Sequence, residues 1–98
     1  MARAQRLVGA STGAIVTCYS PVFENAAGEP DANSIAMSMD MKFNGDVSEL
    51  SDRVTFARNA TNAEKQAAVR SRVNALLSDR EPGVTLNNAN IQISGLPV

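Results

Sequence analysis

Histidine and tryptophan are missing altogether from these 98 residues, and cysteine occurs once. Without imidazole the commonest general base is absent, so Cys18 has no ordinary partner to activate it as a nucleophile. A single thiol excludes an internal disulfide, and no Cys–His set remains for a usual zinc site. Aromatics are scarce, three Phe and one Tyr, so a core must be built from Val, Leu, Ile and the four Met. Such a core buries less area per residue than an aromatic one. An excess of one charge is lacking too: the formal net charge is −1 and the pI about 5.2, unlike the basic balance of nucleic-acid modules. No apolar run approaches the ~20 residues of a membrane-spanning helix. Ser11-Thr12-Gly13 is too polar to complete a signal peptide begun at Met1. The expectation is a single domain without cofactor or metal, not an enzyme, made in the cytoplasm and making no membrane contact.

What is present is organised around Ile35–Phe43, in which Ile35, Met37, Met39, Met41 and Phe43 alternate with small or polar residues. Alternation at period two gives a strand one apolar and one wet face, the pattern of an antiparallel sheet covered on one side. Upstream, residues 1–12 read as an arm carrying Arg3 and Arg6. Gly13–Tyr19 is rich in β-formers and stops at Pro21, which has no ladder donor; Val22-Phe23 resumes pairing briefly. Residues 25–33 hold the Gly, Pro, Asn and Asp of a loop. Asn44-Gly45 signals a hairpin returning through Val47 to Val54-Thr55-Phe56, with residues 48–52 as a turn or bulge. Asp46–Glu49 also matches a capping box, which leaves a single helical turn there as the competing reading.

Thr61-Asn-Ala-Glu64 is the clearest boundary: Thr61 caps an amide within the first turn and Glu64 reaches back to the Thr61 amide. A helix over 61–79 follows, with Ala68, Val69, Val73, Leu76 and Leu77 on one stripe, and Pro82-Gly83 stops it. The last strand spans 84–94, interrupted at Asn87-Asn88. The fold expected is therefore α+β, a small antiparallel sheet over 13–58 and 84–94 covered on one face by a single long helix.

Candidate sites are few. Asp40, Asp46, Glu49 and Asp52 offer hard oxygen ligands, but their spacing misses a calcium loop, and a solvated turn explains them. Cys18 shares a strand face with Ala14 and Val16 and reads as a small hydrophobe. Arg53, Arg58, Arg70 and Arg72, with Arg80, are candidates for a weak nucleic-acid contact through bidentate phosphate binding. Neighbouring Glu49, Asp52, Glu64, Asp79 and Glu81 make local ion pairing the competing reading. Met37, Met39, Met41 and Phe43 suit a core, or an adaptable subunit interface together with Leu96 and Val98 of the apolar tail. Asn59-Ala-Thr61 matches a glycosylation pattern but coincides with the helix cap.

The segment VTFARNATNAEKQAAVRSRVNALLSDREPGVTLNNANIQIS, residues 54–94, resembles the closing half of small phage virion proteins. There an arginine-bearing strand leads through a Thr-x-x-Glu cap into one Ala/Val/Leu helix. It is similar to the coat proteins of single-stranded RNA phages, in which a sheet and C-terminal helices interlock two subunits, and to capsid decoration proteins. The resemblance implies a virion protein whose partners are copies of itself, in a homo-oligomer or shell, or another capsid protein. It carries over no RNA-contact residue. A small adaptor presenting a sheet edge or helix face to a different protein is the alternative.

Overall fold

In the computed structural model, residues 13–44, 49–80 and 82–96 are described. The fold is α+β: a four-stranded mixed sheet with one helix on one face. Strand β1 (Ala14–Cys18) pairs antiparallel with β2 (Ser34–Phe43), β2 with β3 (Leu50–Ala57), and the helix α1 is Asn62–Arg80. After a single 3₁₀ turn, Asn88–Asn90, the strand β4 (Ile91–Ser94) pairs with β1, giving the order β3-β2-β1-β4.

β4 lies parallel to β1, so the sheet is not the purely antiparallel one expected from the alternation. The reason is topological. An intervening helix carries the chain from the end of β3 back to the end where β3 began, so the next strand runs in the same direction. β3 also begins earlier than expected: Leu50–Asp52 pair with Met41–Met39 and are strand, not a turn or bulge. The competing helical turn at 46–49 lies largely outside the described residues. The last strand is shorter than the 84–94 expected, because Val84–Asn87 takes no regular structure. Instead Asn74 of α1 holds that stretch: the Leu86 N–H donates to Asn74 Oδ1 at 2.6 Å, and Asn74 Nδ2 donates to the Leu86 carbonyl at 3.5 Å.

Met37, Met39, Met41 and Phe43 of β2, with Ala14, Val16 and Cys18 of β1, Val54 of β3 and Ile91 of β4, form the covered face. Val69, Val73 and Leu77, at helical spacing, cover it. The helix starts as its sequence dictates. The Thr61 N–H donates to Glu64 Oε1 at 2.9 Å, and the Glu64 N–H donates to Thr61 Oγ1 at 3.1 Å. These reciprocal bonds satisfy two of the donors that a helix start leaves unpaired. Gly83, at φ 85, follows the helix in a backbone conformation that a side chain would strain.

Candidate functional site on the open face and edges of the sheet

The face of the sheet turned away from α1 is built by the other set of alternating residues, and a bulge decides which ones. Cys18 pairs with Met39 and Val22 with Ala36, so residues 19–21 oppose only 37 and 38. The extra residue accommodates Pro21, and it changes the phase of the alternation. Val22 thereby joins Ile15 and Tyr19 on the open face, although the spacing from 15 to 22 is odd. Ile15, Tyr19, Val22 and the adjacent Phe23 are 48–57% exposed, the large apolar side chains on the surface of the described residues.

At the centre of the same face stands Asp40. Its Oδ2 accepts from the Tyr19 hydroxyl at 2.7 Å and its Oδ1 from the Ser51 hydroxyl at 2.8 Å. These bonds, Tyr19's first and Ser51's second, hold the Asp40 carboxyl below its ordinary value. The same bond, chiefly, raises the Tyr19 phenol. The network joins β1, β2 and β3 across the wet face. The sequence alternation places Asp40 there but does not show its partners, which lie 21 and 11 residues away.

Residues 22–33 form a flap at one end of this face, tied by the Glu24–Pro30 bridge. Asn25 Oδ1 accepts from the N–H groups of Ala27 and Glu29, the self-bonding that makes Asn a turn former. Arg53 clamps the flap: Nη2 donates to Glu24 Oε1 at 3.0 Å and to the Asn25 carbonyl at 2.8 Å, and Nη1 donates to the Ala26 carbonyl at 3.2 Å. Ala36, a wet-face position by alternation, is only 1% exposed at this end.

The arginines expected to gather are engaged within the chain, and of them Arg53 and Arg72 are brought to one groove. Arg58 donates to the Ala32 carbonyl and lies 5.3 Å from the centre of the Phe23 ring. Arg72 Nε donates to Asp52 Oδ2 at 2.8 Å, tying α1 to β3, and Arg70 Nη2 donates to Gln66 Oε1 at 3.3 Å. Each of these side chains makes a local bond within the chain. The methionines and Phe43 are no interface either: Met37, Met39, Met41 and Phe43 are at most 1% exposed, packed within the subunit under α1. Leu96 packs against that core, and Val98 lies outside the described residues. Cys18 is buried, and burial pushes its thiol above its ordinary value, as for a small core hydrophobe. Asp40 and Asp52 stand on opposite faces, and no metal-binding group of carboxylates occurs among the described residues.

An open groove of about 430 Å³ runs beside β3, between the flap tip at Ala26 and Ala68, Ser71 and Arg72 of α1, with Arg53 and Thr55 at its floor. No described helix is long and apolar enough to cross a membrane. The fold is that of a small two-layer α+β domain, one mixed sheet with one helix on it. Comparison of the chain with protein-family models, curated proteins and solved structures finds no match.

Proposed function

We propose that this chain is a self-associating, non-enzymatic structural protein of a virus particle, a coat or capsid-decoration subunit. The observation that supports it best is that Ile15, Tyr19 and Val22 on the open face of the sheet, and Phe23 next to them in sequence, are large apolar side chains about half exposed. Large apolar side chains left on an exposed face, set among polar groups, are a surface that a protein partner can cover. The outer strands β3 and β4 add backbone edges that no other described strand covers, and on these copies can pair. The virion setting rests on the resemblance of residues 54–94 to small phage structural proteins. Nucleic acid has no part in the proposal: Arg53 and Arg72 are held by carboxylates, and Arg58 and Arg70 each bond to a neutral group of the chain.

Light scattering on a sizing column, followed by negative-stain imaging, tests the reading. Rings, shells or a defined oligomer that dissociates in an Ile15→Ser, Phe23→Ser variant is the expected result. A species that stays at 10.3 kDa at all concentrations overturns it. If that monomer saturably binds a different protein, it is instead the adaptor, a reading favoured by the edge of β3, which no other described strand covers.

A further inference from the structure

The groove beside β3 has the shape and the hydrogen-bonding groups of a site for one added strand. In antiparallel pairing, directly opposite residues alternate between bonded and non-bonded pairs. The Arg58 N–H donates to the Asn33 carbonyl in register with the β2–β3 ladder, so Phe56, Val54, Asp52 and Leu50 turn their backbone groups toward β2. The bonds of Asn44 to Gly13 and of Tyr19 to Ser38 set the same phase from the other side of β2. The N–H and C=O groups of Arg53 and Thr55 therefore point outward, into the groove, and none of them bonds to another described residue. Ala26, Ala68 and Ser71 on its walls are small and leave room for the side chains of an occupant.

We infer that residues 1–12 of one copy dock in this groove of a second copy as an added strand on the edge of β3. The inference rests on the self-association proposed above. Length permits it: twelve residues reach up to about 40 Å when extended, enough to cross a subunit boundary and pair with β3. Direction favours a neighbour. Gly13 lies level with Asn44, whereas Arg53 and Thr55 pair with Ser38 and Ala36. The groove is therefore about 20–27 Å back along the sheet and about 14 Å across it from Gly13. To enter its own groove the segment would have to reverse at Gly13 and cross the ends of β2 and β3, whereas continuing in line with β1 carries it away from its own subunit. Charge does not oppose it: the two arginines lining the groove are paired, Arg53 with Glu24 and Arg72 with Asp52, and the other 86 residues hold seven cations against ten anions to meet Arg3 and Arg6. Leu7 and Val8 supply the side chains for the small-walled groove.

The test uses the full chain. One copy carrying Leu7→Cys is mixed with another carrying Ser71→Cys and treated with a short bismaleimide; the buried Cys18 is controlled by the parent chain. A cross-linked dimer in the mixture, and not in either variant alone, is the expected result. A second variant, Ser71→Trp, fills the groove from an exposed helix position and is expected to weaken association about tenfold or more, with an unchanged melting temperature of the monomer. If the parent assembles but the mixture gives no cross-link and Ser71→Trp assembles normally, the arm proposal falls and self-association stands. A cross-link formed only within a single Leu7→Cys, Ser71→Cys double variant overturns it in favour of docking in its own subunit. A parent chain that never associates overturns both readings.

Discussion

Replacing Met39 by alanine separates a core role from an interface role for the methionine strand. Met39 is fully buried at the middle of β2, between Cys18 on β1 and Asp52 on β3, in the cluster closed by Val69, Val73 and Leu77. The substitution removes the Cγ, Sδ and Cε atoms from a site with rigid sheet on both sides and a helix above. Loss of transfer energy plus the residual cavity costs about 3 kcal/mol, within the 2–5 range for such truncations. For a domain of this size that is a fall of about 12–24 °C in Tm, a large part of a total stability of roughly 5–15 kcal/mol. Met39→Leu, which nearly conserves volume, costs under about 1.5 kcal/mol. Ile15→Ser, at a half-exposed position, is expected to change stability by less than about 0.5 kcal/mol and association strongly. Urea and thermal melts at two protein concentrations separate folding from linked assembly. A Met39→Ala protein that melts with the parent, or differs from it only in association, would refute the assignment of this strand to the core.

Three further outcomes follow from named contacts. Thr61→Ala removes the hydroxyl that accepts the Glu64 N–H and is expected to cost about 1 kcal/mol in urea unfolding; an unchanged midpoint would mean the capping box contributes nothing. In Tyr19→Phe the Asp40 carboxyl loses its principal hydrogen bond, so its NMR titration moves up toward the ordinary value. Because the folded-state value is depressed, the stabilisation by this network is present above the unfolded carboxylate value and is lost as pH falls through the folded one; an unmoved titration contradicts this. Gly95→Ala drives a Cβ into the Cys18 carbonyl oxygen at a φ of 79, so β4 should loosen, with faster amide exchange at Gln92 and Ser94 than in the parent.

What the chain order alone determined is local. The period-two run 35–43 and the Thr61–Glu64 box specify a strand and a helix start, because side-chain direction along a strand and capping at a helix depend on residues a few positions apart. The helical stripe Val69–Val73–Leu77 was legible for the same reason, as was the loop chemistry of Asn25. The candidate site was much less legible. Whether the methionines face a helix or a neighbour depends on where α1 packs, and the alternation is the same either way. That the arginines are tied to the flap, to Asp52 and to Gln66 was only partly readable: the Glu24 and Ala26 partners of Arg53 are 29 and 27 residues distant. The bulge at 19–21, which brings Val22 beside Ile15 and Tyr19, needs the pairing register of β2 to be seen. The parallel course of β4 was settled by the crossover through α1. Tertiary structure decided these features because each is a register or a contact between segments that the sequence separates and only the folded sheet brings together.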